Sequence, residues 1–201
     1  MTNWKTTDFQ SVNINYSNKA EGKYLISLRD DFVNGLSPFD LEARCGFKGA
    51  TIWDYLLLCR DSVLDWTENE ISMLEGLFWE IGSELKRHGM AIPSVETINV
   101  VKTTSIEEGG AMGYTRGNTI YVAESVMKKS EGKIEELLTH ELFHILTRSS
   151  LAFKEEMYKT IGFTTTEKVI DLMALNQRCR FVSNPDVSKF CSYITLKDFS
   201  G

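Results

Sequence analysis

Proline is scarce, with 3 in 201 residues, and no apolar run is long enough to cross a bilayer as a helix. The most apolar short stretch is Tyr55-Leu56-Leu57-Leu58-Cys59. The stretch from Met1 to Asp30 contains nothing like the hydrophobic centre of a signal peptide. A cytoplasmic location away from membranes is therefore expected. Cysteine is sparse too. Cys45, Cys59, Cys179 and Cys191 form no Cys-x-x-Cys pair and read as reduced, mostly packed thiols; pairing of Cys179 with Cys191 would need an oxidising compartment. No long basic tract occurs and the formal net charge is −6, which argues against nucleic acid as a partner. Repeats and low-complexity segments are also missing. What remains, 42% hydrophobic and 25% charged residues, is the composition of a folded domain with a sizeable core.

Residues 1–50 form a polar segment that is hard to read, with turn chemistry at Asn34-Gly35 and Ser37-Pro38. Residues 51–201 carry clearer patterns. Ile52, Tyr55, Leu56, Cys59, Val63 and Leu64 have helical spacing between Thr51 and Trp66. Thr67-Glu68-Asn69-Glu70 is a capping box that opens a second helix, with Ile71, Leu74, Leu77, Phe78, Ile81 and Leu85 on one face. After Pro93 the period shortens. A strand is expected to end near Thr103, and two extended pieces, Ala111–Thr115 and Thr119–Val122, flank a turn at Arg116-Gly117-Asn118. Helices are expected over Gly132–Arg148 and Leu151–Ile161, then a turn at Ser183-Asn184-Pro185-Asp186 and a strand at Phe190–Leu196. The fold class is α+β, with a small, mostly antiparallel sheet.

One helix carries chemistry. His140-Glu141-Leu142-Phe143-His144 places two imidazoles one turn apart on the same face, where both can bind a single ion. Glu141 is rotated by about 100° from His140, which leaves it beside the metal as a proton acceptor. Zinc suits such a donor set. A third protein donor is required. His88, the only other histidine, reads as a favourable charge at the end of the preceding long helix. Glu155 and Glu156 on the next helix are the nearest carboxylates, with Glu167 and Asp171 further along. Helical spacing alone leaves the choice open.

Several blocks together resemble a bacterial family of zinc metallopeptidases of the His-Glu-x-x-His, or zincin, type. They are Ala111-Met112-Gly113-Tyr114-Thr115-Arg116-Gly117-Asn118-Thr119-Ile120, the motif itself, Lys154-Glu155 with Tyr158 and Ile161-Gly162-Phe163, and Asn184-Pro185-Asp186. The resemblance spans roughly residues 60 to 196 and implies a zincin-like catalytic domain over 51–201. It also implies an acidic residue at the position of Glu155 as third zinc ligand. Ser149-Ser150-Leu151 stands where a proline-containing turn would be usual. Family members continue past the final strand, so the chain reads as short at its C-terminus.

The resemblance implies a peptide or protein substrate bound along the strand upstream of the motif, here within Gly113–Val122. Tyr114 and Arg116 are the expected substrate contacts; the plainer alternative has Tyr114 packed and Arg116 merely solvated. Glu141 would take the proton of a metal-activated water and pass it to the leaving amine, with Tyr158 or Tyr193 as oxyanion donor. Asn184-Pro185-Asp186 reads as a structural corner, with Asp186 orienting a histidine from behind as the sharper alternative. Glu107-Glu108 reads as a solvated loop that would otherwise select basic substrates. A catalytically silent metal-binding or interaction protein is the competing reading. A deformylase-like hydrolase is a third, although its upstream cysteine ligand is not evident. Oligomeric state does not follow from these residues.

Overall fold

The computed structural model describes residues 4–166, 182–187 and 192–194. In chain order the elements are β1 (Thr6–Thr7), β2 (Asn13–Tyr16), α1 (Lys19–Ile26), α2 (Asp31–Asn34), α3 (Pro38–Cys45), α4 (Ile52–Ser62), β3 (Val63–Leu64) and α5 (Glu68–Arg87). There follow β4 (Ile92–Pro93), β5 (Thr97–Thr103), β6 (Gly113–Arg116), β7 (Thr119–Ala123), α6 (Glu131–Ser149), α7 (Leu151–Thr160), β8 (Thr164–Thr165) and β9 (Ser192–Tyr193). The class is α+β. No helix among the described residues is long and apolar enough to cross a membrane.

Helix starts follow local chemistry. Thr67 caps α5, its side chain accepting from the Glu70 N–H while the Glu70 carboxylate accepts from the Thr67 N–H (2.8 Å). The same reciprocal arrangement opens α1 at Asn18 and Glu21, α3 at Ser37 and Asp40, and α4 at Thr51 and Asp54. Three of these four boxes depart from the Ser/Thr-x-x-Glu/Gln pattern, with Asn18 as the cap of α1 and Asp40 and Asp54 as the reciprocal acids of α3 and α4, and so are not legible as capping boxes in the sequence. The helix expected up to Trp66 ends at Ser62, and Val63–Leu64 instead pairs antiparallel with β5.

The central sheet runs β2-β5-β7-β6, with β3 also on β5. It is mixed rather than mostly antiparallel. β2 and β7 both run parallel to β5, and only β3 and β6 are antiparallel to their neighbours. The parallel pairs arise because β2 reaches β5 through the first five helices, and β5 reaches β7 across β6. Residues 1–50 thus supply a strand and three helices to the same core.

Strand periodicity sorts side chains onto two faces. Ile98, Val100, Ile120 and Val122 join Leu74, Phe78 and Ile81 of α5 and Ile134, Leu138, Leu142 and Ile145 of α6 in one buried cluster. Val101, Tyr114 and Tyr121 point to the opposite face, among Ile26, Val33, Leu41, Tyr55 and Cys59 of α1–α4. The β6–β7 turn uses Gly117 at φ 58°, a left-handed conformation that costs glycine little. Ser192–Tyr193 pairs with Thr164–Thr165 and Ile194 lies beyond the strand; Phe190, Cys191, Thr195 and Leu196 of the expected Phe190–Leu196 strand, together with Glu167, Asp171 and Cys179, lie outside the described residues. Cys45 and Cys59 are free thiols.

Candidate metal centre

α6 buries Leu138, Leu142 and Ile145 against the sheet, which turns His140, Glu141 and His144 towards the β6 edge. The two imidazoles meet as the motif requires, with Nε2 atoms 3.0 Å apart and rings nearly perpendicular at 80°. Two nitrogen donors on one tetrahedral zinc stand about 3.3 Å apart, so the pair is close to a ligating separation. His140 is exposed and His144 half-buried. Burial lowers the His144 pKa from its ordinary value, Asp186 opposes that shift, and the neighbouring His140 and Arg148 add to it. The neutral imidazole is the metal-binding form.

Glu141 is 2% exposed, and its Oε2 has no hydrogen-bond partner. Burial, reinforced by the Asp186 carboxylate and opposed by Arg148, pushes its carboxyl up to about 8. A cation at the imidazoles would draw it back down. An orphaned buried carboxylate oxygen costs stability unless a ligand meets it. Donor atoms of Glu141, His144 and Asp186 all lie within 4.8 Å of one another, and no other group of three metal-binding side chains does so among the described residues. The residues present therefore fit a divalent cation.

β6 supplies the opposite wall. Its period of two places Tyr114 and Arg116 on the α1–α4 face and leaves Gly113 and Thr115 facing α6. A Cβ on Gly113 would stand 3.2 Å from Glu141 Oε1 and 3.3 Å from Leu137, so glycine permits this close approach. Thr115 donates to Asp186 Oδ1 from both its N–H (2.7 Å) and its hydroxyl (3.0 Å). Arg148, one turn past His144, donates to the Thr115 hydroxyl and to the Gly117 carbonyl (3.2 Å). A cleft of about 780 Å³ opens alongside, lined among others by Met112, Gly113, Leu137, His140, Glu141 and Asp186.

Several expectations are corrected. Arg116 does not face substrate. It is 5% exposed, donating to Asp30 (2.8 Å) and to the Ile26 and Leu28 carbonyls, and so ties β6 to the α1–α2 connection. Tyr114 is buried as well, stacked on Tyr121 at 4.7 Å with its hydroxyl donating to Glu107 (2.8 Å). Glu107 and Glu108 are no solvated pair: Glu107 is fully buried, and Glu108 accepts from Arg44 (2.9 and 3.2 Å) and Tyr55 (2.7 Å). Glu155 and Glu156 are exposed on α7, and neither joins the cluster of donors at His144. Tyr158 stacks on Phe143 and Tyr193 is half exposed in β9; neither lines the cleft. His88 is the C-terminal cap of α5 beside Glu84, far in role from the metal.

Gly113, Thr115 and Arg148 are the site residues that sequence patterns did not offer; Asp186 was offered there only as the alternative to a structural corner. Reading Tyr114 as a core aromatic would have put its two neighbours on the α6 face.

A family model described as eCIS core domain, for extracellular contractile injection system core, matches residues 96–151. That span is less than half of the chain. It takes in β5, β6, β7 and all of α6 with His140, Glu141 and His144, and it ends at Leu151, the first residue of α7, well before Asp186. Nothing in this match points to the zincin peptidase family that the motif blocks resemble. No curated protein and no solved structure matches the chain.

Proposed function

We propose that the chain is a zinc-dependent peptidase in which His140 and His144 hold the metal and Glu141 is the general base. The observation that carries this reading is the pairing of two apposed imidazoles with a buried carboxylate whose Oε2 is left without a partner. A structural helix gains nothing from such an oxygen, whereas a proton-transfer site needs it free. When bound, zinc supplies Lewis acidity towards water and a scissile carbonyl.

This chain's own residues do the rest. Glu141 takes the proton of the attacking water at its carboxylate and returns it to the leaving amine nitrogen, one group serving as base and then acid. Burial suits both halves of that cycle, because it raises the affinity of the carboxylate for the proton it must carry. Leu137 and Met112 give the cleft an apolar wall. Gly113, on an outer strand of the sheet, leaves backbone accessible to an extended peptide, although Asp186 already occupies the N–H of Thr115. A peptide would therefore pair with only the first part of β6.

The match to the eCIS core model supports protein partners in a contractile-injection assembly as the setting for such a peptidase. The catalytically silent alternative is disfavoured by the intact Glu141 and the open cleft. Glu141→Gln separates the two. With a quenched fluorescent peptide library as probe, the variant is expected to lose hydrolysis while binding zinc as the parent does. Equal hydrolysis by parent and variant would contradict the assignment of Glu141, and no hydrolysis by the zinc-loaded parent would favour the silent reading.

A further inference from the structure

We infer that Asp186, rather than Glu155, is the third protein donor to the ion held by His140 and His144. The inference rests on the zinc reading above. Asp186 reaches the site from a turn 42 residues beyond His144, in a part of the chain where no helical or strand period predicts it.

Three observations point the same way. First, a carboxylate oxygen of Asp186 shares the 4.8 Å cluster with His144 and Glu141, whereas Glu155 is exposed on α7 and outside it. His140, the exposed ring, is outside that 4.8 Å group but stands 3.0 Å from His144 and lines the same cleft as Asp186. Secondly, both hydrogen bonds that Asp186 accepts end on Oδ1, from Thr115, and among the described residues none reaches Oδ2. The side chain is thus oriented by one oxygen while the other stays available, as is usual for a ligating carboxylate. Thirdly, the turn that carries Asp186 is anchored far more firmly than a surface corner needs.

That anchor is buried. Asp40, fully buried in α3, accepts from the Ser183 N–H (2.6 Å) and hydroxyl (3.1 Å), and Arg44 donates to the Ser183 carbonyl (2.5 Å). Arg44 is itself fixed by Asp40 (3.0 Å) and Glu108 (2.9 Å), all with little exposure. Asn184 Oδ1 then accepts from the Asp186 N–H (2.9 Å), closing the turn on itself. A residue three positions before Asp186 is therefore held at N–H, hydroxyl and carbonyl by charged groups, so Asp186 is presented to His144 in a fixed orientation. Glu141, a member of the same cluster, has a buried Oε2 without a partner, an independent sign that a cation belongs there.

The test is an equilibrium zinc titration of the full chain against a chromophoric chelator. Asp186→Ala and Asp186→Asn are each expected to weaken zinc binding by more than about a hundredfold, beyond the loss that follows removal of a group supporting a ligand from behind. Asp186→Asn retains an acceptor for Thr115, and the melting temperature of the zinc-free variant reports the fold separately from the metal. Glu155→Gln is expected to leave zinc affinity unchanged. A loss below a hundredfold in both Asp186 variants, or a loss carried by Glu155→Gln, would overturn the assignment of Asp186. Failure of the parent chain to bind zinc would instead refute the peptidase reading beneath it.

Discussion

Glu141 and Glu108 are both buried carboxylates near the two faces of β6, yet they are treated in opposite ways. Glu108 is enclosed by the Arg44 guanidinium and the Tyr55 hydroxyl. Burial still wins and raises its pKa, against the pull of Arg44 and Tyr55. Glu141 has no such enclosure: one oxygen is orphaned and a cleft opens beside it. A buried acid surrounded by donors serves the fold, and a buried acid left without donors at a cleft is reserved for a ligand.

Removing each acid's function is the strongest way to sharpen that contrast. Glu141→Gln is expected to cut peptide hydrolysis by about 10²- to 10⁴-fold, the usual value of a general base, with little loss of stability, since no hydrogen bond to Oε2 is broken. Arg44→Met attacks the other acid. It leaves Asp40 and Glu108 buried without their cation, and urea unfolding is expected to show a loss of about 3–5 kcal/mol. If the two variants exchanged effects, the distinction between the sites would be broken.

The smaller predictions probe the ground between them. Gly113→Ala places a methyl group 3.2 Å from Glu141 Oε1 and 3.3 Å from Leu137. Displacing the base is expected to lower hydrolysis by about tenfold and stability by about 1 kcal/mol, measured by steady-state kinetics and thermal melting. The smallest effect concerns acid. Burial works against ionisation of Asp40, but hydrogen bonds from Ser183 and Ser37, with Arg44 beside it, hold its carboxyl below its ordinary value of 3.8. A depressed folded pKa contributes stability above the unfolded value and loses it as pH falls through the folded one. The stability gap between the parent and Asp40→Asn should therefore narrow as pH drops below about 4, and a gap that widened there would contradict the assigned charge state.

Legibility in the sequence followed the range of the interactions. The α6 motif and the Thr67 cap of α5 depend on residues within one or two helical turns, and both were readable from spacing alone. Tyr114 and Arg116 were misjudged because their roles depend on α1 and α2, whose sequences gave no strong period, and on which face of β6 turns towards α6. The same applies to Glu107 and Glu108, whose partners Tyr114, Arg44 and Tyr55 include two that lie more than 50 residues upstream. The parallel pairing of β2 with β5 was equally invisible, since strand periodicity carries no direction. Asp186 is the clearest case. Its turn chemistry was evident at Asn184-Pro185, but the choice between a structural corner and a place beside the histidines is set by Asp40 and Arg44, more than 130 residues away.

Whether one ion sits on the two imidazoles is decided by metal analysis of the purified full chain after zinc loading and removal of excess ion, with the parent compared against a variant in which His140 and His144 are both alanine. One zinc per chain in the parent and none in the double variant is the predicted result. A parent chain without zinc, or a double variant that keeps it, would contradict a metal centre at His140 and His144.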